Sequence, residues 1–105
     1  GETIEREGLL QYVKDNAAYV RERLEAATEP LSIVNDLRIC GMMIGIELSI
    51  PSTPAVAKAM ERGVLVNSTQ DTVVRLLPAI NITREELDQG LDVVIEVLKE
   101  MADEA

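Results

Sequence analysis

Val34-Asn35-Asp36-Leu37-Arg38-Ile39-Cys40-Gly41-Met42-Met43-Ile44-Gly45-Ile46-Glu47-Leu48-Ser49 is the stretch on which the fold turns. Its apolar residues run almost without interruption and several are β-branched, which predicts one or two strands buried on both faces. Gly41 and Gly45 mark points of bulging or close backbone approach. A strand, a tight bend near Cys40-Gly41 and a second strand is the preferred parse. Arg38, Cys40, Met42, Ile44, Ile46 and Leu48 share one parity; Leu37, Ile39, Gly41, Met43, Gly45 and Glu47 share the other.

On the N-terminal side, Leu10, Val13, Ala17, Val20 and Leu24 are spaced by three and four residues, one face of an α-helix. Gly8 is read as a break between an incoming helix, residues 1–8, and this one. Glu29-Pro30 ends it, because a residue before proline avoids helical angles. On the C-terminal side, Ser52-Thr53-Pro54 reads as a hydroxyl cap followed by proline at the first helical position. The short helix it opens should turn Val56, Ala57 and Met60 inward and stop at Gly63. Val64-Leu65-Val66-Asn67 reads as a strand, Gln70-Asp71 as a polar turn, and Val73-Val74-Arg75-Leu76-Leu77 as the returning strand, limited by Pro78. Thr83 and Glu86 have capping-box spacing. Leu87, Leu91, Val94, Ile95, Leu98 and Ala102 then follow one helical face, and Glu100 to Ala105 read as a solvated, fraying end. The order α-β-β-α-β-β-α predicts an α+β fold: a two-layer sandwich with helices on a small, mostly antiparallel sheet, one domain over residues 1–105.

Composition narrows the function classes. With 105 residues and 47% hydrophobic content the chain can build a core, and with 2% aromatics that core is aliphatic. Ten basic against 19 acidic residues give a net charge of −9, which argues against nucleic acid and against an anionic membrane surface as partners. One cysteine and no histidine exclude an internal disulfide, metal sites of the His/Cys kind and histidine-based triads. No apolar run reaches the roughly 20 residues of a membrane span, and Gly1 to Glu7 lack the basic start and apolar middle of a signal peptide. The expectation is a soluble, cytoplasmic protein.

Few residues offer chemistry. Lys14, Lys58 and Lys99 fall on polar helix sides, whereas a Schiff-base lysine needs a sheltered site; they read as solvated. Arg75 interrupts an apolar strand and must find a carboxylate or carbonyl partner or reach solvent. Pattern alone leaves two readings even: a functional cation, or an outward-pointing residue of an edge strand. Arg38 has Asp36 on its own strand to pair with. Asn67, Ser68 and Thr69 could contact a ligand or bond their own turn, and the turn reading prevails on pattern. Glu47 reads as an outward-facing strand residue; Cys40, Met42 and Met43 read as core filling. No glycine-rich phosphate loop is present, so no cofactor-binding, catalytic or metal-ligating residue is assigned.

In order, Glu7-Gly8-Leu9-Leu10, Arg38 to Leu48 with its Gly41-Met42-Met43-Ile44-Gly45-Ile46-Glu47-Leu48 core, Gly63-Val64-Leu65-Val66-Asn67, Arg75-Leu76-Leu77-Pro78 and Thr83-Arg84-Glu85-Glu86-Leu87-Asp88 resemble the C-terminal small domain of class III aminotransferases, in particular their acetylornithine branch. The chain departs from the family at Ile39, where glycine is usual, and at Ala79, where a second proline is common; both positions concern backbone shape. The resemblance implies a parent enzyme that binds pyridoxal phosphate through a lysine of a large domain. It implies a homodimer that moves an amino group from N-acetylornithine to 2-oxoglutarate in arginine biosynthesis. In such an enzyme the residue matching Arg75 lies at the mouth of the active site, facing a glutamate of the large domain or a substrate carboxylate. The reading of Arg75 thereby shifts toward substrate binding, with Asn67 and Thr69 as lesser candidates beside it.

The cofactor's anchoring groups would belong to the large domain, so this chain alone is expected to be inactive and to bind no pyridoxal phosphate. The alternative is a free-standing α+β module that binds a small molecule or regulates. A domain that normally packs on a larger one should also expose an apolar patch or self-associate.

Overall fold

The structure, a computed structural model, describes residues 6–105. The elements run α1 (Arg6–Thr28), β1 (Val34–Cys40), β2 (Met43–Leu48), α2 (Thr53–Glu61), β3 (Asn67–Thr69), β4 (Val73–Leu76) and α3 (Arg84–Glu104). The four strands form one antiparallel sheet in the order β1-β2-β4-β3. All three helices pack on one of its faces, giving the α+β two-layer arrangement that the pattern predicts. Residues 1–5, the start of the expected interdomain helix, lie outside the described residues; α1 passes through Gly8 without a break.

The β1–β2 hairpin sets the register. Cys40 pairs with Met43, so a two-residue loop joins the strands, and Ile39 faces Ile44, Arg38 faces Gly45 and Leu37 faces Ile46. Gly41 carries the required left-handed angle, φ +59°, at the loop position where tight hairpin turns place glycine. Because the loop has two residues, opposite parities share a face. The grouping of Arg38 and Cys40 with Ile44 and Ile46 is therefore corrected. A bulge does occur, but at Asn35, between the pairs Val34–Leu48 and Asp36–Glu47, and not at either glycine. It brings Val34 onto the same face as Leu37 and Ile39. β1 is an edge strand and is not buried on both faces; Cys40 is exposed and fills no core.

Ile44, Ile46 and Leu48 of β2 and Val74 and Leu76 of β4 point to the helices. There they meet Val20 and Leu24 of α1, Ala55 and Ala59 of α2, and Leu87, Leu91, Val94, Val97, Leu98 and Met101 of α3. The inward face of α2 is thus Ala55 and Ala59, while Ala57 and Met60 are exposed; small side chains let this short helix lie close to α3 and the sheet. Ser52 makes no side-chain cap bond, because its hydroxyl is engaged by that of Ser68 at 2.6 Å. α2 ends as expected at Gly63, φ +84°. The Gly63 and Val64 N–H groups donate to the Met60 and Ala59 carbonyls at 3.0 and 2.9 Å, the paired bonds of a Schellman end. That use of the Val64 N–H explains why the predicted strand over residues 64–67 begins only at Asn67.

α3 stays helical to Glu104, and its last turn, though solvent-exposed from Asp103 on, is tied to α2. Met101 is buried, and Glu100 and Glu104 hold Lys58 at 3.2 and 3.1 Å. Arg62 adds Glu96 at 3.1 Å and a second contact to Glu100. At the other end Thr83 and Glu86 form the reciprocal capping box.

Candidate functional site

Pairing across the sheet places Arg38, Gly45, Arg75 and Asn67 in one row on the face away from the helices. The next row holds Asp36, Glu47, Val73 and Thr69. This alternation of helix-facing aliphatics with outward polar residues is what an antiparallel sheet with one uncovered face requires. Arg38, Met43, Gly45, Thr69, Gln70, Val73 and Arg75 line a depression on that face.

Arg75 lies on an inner strand, between β2 and β3, and not on an edge strand, but it does point outward, as the second reading had it. Its side chain is exposed, and its Nη2 lies 3.1 Å from the Met43 sulfur, a weak acceptor. Among the described residues no carboxylate lies within ion-pair distance of it. Arg38, across Gly45, is in a different state: Glu47 and Asp36 both pair with it, Asp36 at 3.4 Å from Nε. The expected Asp36 partner is present, and Glu47, outward-facing as read, is the second. Thr69 joins Arg75 at the depression. Asn67 shares the row of Arg75 but is not part of the lining.

The loop beside Thr69 is strained. Gln70 and Asp71 adopt φ of +52° and +68°, left-handed angles that disfavour side chains bearing a Cβ. The loop is held by Ser52 N–H donating to Asp71 O at 2.9 Å and Leu48 N–H donating to Thr72 O at 2.8 Å. Sequence reasoning missed Gln70, Gly45 and Met43 as lining residues. A two-residue loop at Gly41-Met42 was the signal that would have aligned Gly45 with Arg38 and drawn Met43 to the same face.

It also missed a second polar cluster, where α1 meets α3. Asn16 is fully buried, and its Oδ1 accepts from Arg84 Nη2 at 2.9 Å and Nε at 3.3 Å. The Arg84 guanidinium stacks on the Tyr19 ring, 3.9 Å from its centroid, a cation–π contact. Tyr19 donates to Asp88, which also pairs with Arg23 at 3.3 Å. The hydrogen bond to Asp88, with desolvation and the Asp88 charge, raises the Tyr19 pKa. Asn16, Val20, Leu24 and Thr28 are spaced by four along α1, so the stripe was visible in the sequence.

The described residues do not fit a pyridoxal phosphate site. Lys14 and Lys99 are exposed. Lys58 is held by Glu104 and Glu100, whose hydrogen bonds raise its pKa; an amine that condenses with a carbonyl needs the opposite shift. Among the described residues no group of acidic, cysteine or histidine side chains could hold a metal ion, and no helix is long and apolar enough to cross a membrane.

A family model described as aminotransferase class-III matches residues 2–98. The chain belongs to that family. Among relatives, it is 33% identical over 99 residues to the acetylornithine aminotransferase of Caldanaerobacter subterraneus, covering 93% of this chain and 25% of that protein. It is 37% identical over 97 residues to an ornithine aminotransferase of an Exiguobacterium species, covering 92% and 24%. Among solved structures, the ornithine aminotransferase of Toxoplasma gondii superposes with a TM-score of 0.86 at 23% identity, over 94% of this chain and 24% of that one; this shows the shared fold. The chain thus spans about a quarter of the length of the relatives it matches.

Proposed function

We propose that this chain is the C-terminal small domain of a pyridoxal-phosphate aminotransferase. The parent would move an amino group from N-acetylornithine to 2-oxoglutarate in arginine biosynthesis, as a cytoplasmic homodimer. In it this domain closes the substrate cleft, packed on the large domain that holds the cofactor. The observation that carries the reading is Arg75: a guanidinium on an inner strand, exposed on the face without helices, with a thioether and no described carboxylate beside it. In a partly dry cleft such a group makes a short, charge-assisted contact with a substrate carboxylate. Thr69, on the same depression, can donate its hydroxyl to the same group; Asn67, on the same strand as Thr69 and level with Arg75, is outside the lining. The other half of the reading is the lysine inventory, which points to cofactor anchorage outside this chain. Nothing observed favours a free-standing ligand-binding or regulatory module.

The test uses the full-length protein, with glutamate formation from N-acetylornithine and 2-oxoglutarate as readout. Arg75→Ala should raise KM for a carboxylate substrate by roughly 10- to 100-fold, the loss of a hydrogen bond to a charged group worth about 1.5–3 kcal/mol. An unchanged KM would refute the role of Arg75. In parallel, this chain alone is titrated with pyridoxal phosphate and trapped with borohydride. A stoichiometric adduct at Lys14, Lys58 or Lys99 would show that it holds a cofactor site of its own.

A further inference from the structure

Gly45 occupies the middle of β2 without the two reasons that commonly demand glycine. Its φ is not positive, so no left-handed turn requires it. A Cβ built there would sit in ordinary contact, its nearest neighbours being the Arg38 carbonyl at 3.7 Å, Arg38 Cβ at 3.9 Å and Val73 Cγ1 at 3.9 Å. Glycine nevertheless weakens a strand interior, and in such a place it often marks the close approach of something else. Gly45 is buried, yet within the described residues nothing comes nearer to that position than ordinary van der Waals contact. What the missing side chain does is shape the floor of the depression between Arg38 and Arg75.

Charge decides where an anion settles over that floor. Arg38 is outnumbered by Glu47 and Asp36, so the β1 side is net negative and repels an anion. Arg75, on the β4 side, has only Met43 among the described residues. We propose that Gly45 is a specificity-determining residue: the space above its Cα admits the carboxylate end of an unbranched aliphatic substrate to Arg75, and a larger side chain at this position would shut it out. The inference rests on the carboxylate-binding reading of Arg75 and adds to it a steric gate that Arg75 itself does not supply.

The experiment is calorimetric binding of glutarate, an unreactive dicarboxylate, to the full-length protein, alongside thermal unfolding. Gly45→Val should weaken binding about tenfold or more, as one or two misplaced methyl groups do in a tight site. Gly45→Ala should weaken it less, and the unfolding midpoints should hold or rise, since valine favours strands. If glutarate does not bind, or Arg75→Ala leaves its affinity unchanged, the carboxylate reading fails and the inference with it. If Arg75→Ala weakens binding and Gly45→Val does not, the inference alone is overturned. A Gly45→Val protein that loses thermal stability while keeping glutarate affinity would show that the hollow seats polypeptide instead, which also overturns it.

Discussion

Thr83→Ala tests the logic by which the chain leaves the sheet and enters its longest-buried helix. The Thr83 hydroxyl accepts from the Glu86 N–H at 3.0 Å, and the Glu86 carboxylate accepts from the Thr83 N–H at 3.1 Å. Ile82 and Leu87 stand at the positions of a hydrophobic staple, and both pack with the core. α3 buries six side chains from Leu87 to Met101, so its first turn cannot open without exposing Leu87. Losing the hydroxyl leaves one helix-end donor without its protein partner, a loss of about 1 kcal/mol. Spread over a domain of this size, that lowers the thermal midpoint by about 4–8 °C and the urea midpoint by roughly 0.3–1 M. Circular dichroism during heating and in urea reads both. Thr83→Ser should recover the wild-type midpoint. Glu86→Ala should lose a similar or smaller amount, and the double variant less than the sum, because the two bonds form one unit. A Thr83→Ala midpoint equal to wild type, with Thr83→Ser no different, would refute the claim that this cap anchors α3.

Two further outcomes follow from other parts of the surface. Leu65 and Leu77 are 79% and 75% exposed where the β3–β4 ladder stops, and covering each would stabilise an interface by about 1–2 kcal/mol; the chain alone should bind an apolar dye or self-associate, and Leu65→Asp with Leu77→Asp should suppress this, whereas light scattering from a dye-free monomer of wild type would contradict it. Lys58 and Tyr19 both have pKa values raised above their ordinary 10.5 and 10.0, so each binds its proton more firmly when folded; their contribution is full below those values and lost as pH rises through the raised ones, and the unfolding midpoint of wild type should fall more steeply above about pH 10 than that of a Lys58→Met, Tyr19→Phe double variant.

The parts of the fold readable from sequence are those governed by local rules. Element order, the capping box at Thr83, the bend near Gly41, the glycine stop at Gly63 and the helix end before Pro30 all depend on a few adjacent residues. The errors arose where a longer-range choice decided. The faces of β1 depend on a loop of two residues and on the extra residue Asn35, and neither is fixed by the run of apolar residues. Ser52 has the look of a cap but bonds Ser68, a residue 16 positions on. Met60 is more hydrophobic than Ala55 and Ala59, yet close packing of α2 against α3 selects the small pair, with Val56 packed at the margin of the core. Arg75 was conspicuous in the sequence, but that it sits on an inner strand, level with Gly45 and Arg38, follows only from the pairing order.

The isolation of Arg75 is a matter of position and not of supply. The chain has 19 acidic residues for 10 basic ones, yet among the described residues Lys14, Arg75, Arg84 and Lys99 have no carboxylate within ion-pair distance, and of these only Arg75 lies on the sheet. Arg21, Arg23, Arg38, Lys58 and Arg62 each hold at least one. The carboxylates in those pairs lie on the helices and on the β1 side of the sheet. The neighbours of Arg75 in its own row are Gly45 and Asn67, neither of them charged. Glu47, the nearest acid by register, is drawn off by Arg38. An ion pair at the sheet surface adds little stability, so directing Glu47 to Arg38 does little for the fold. What it does is keep the only carboxylate of β2 away from the guanidinium of β4. A face arranged this way is net anionic on one side and cationic on the other, with a glycine between them, which is the asymmetry a single incoming carboxylate can read.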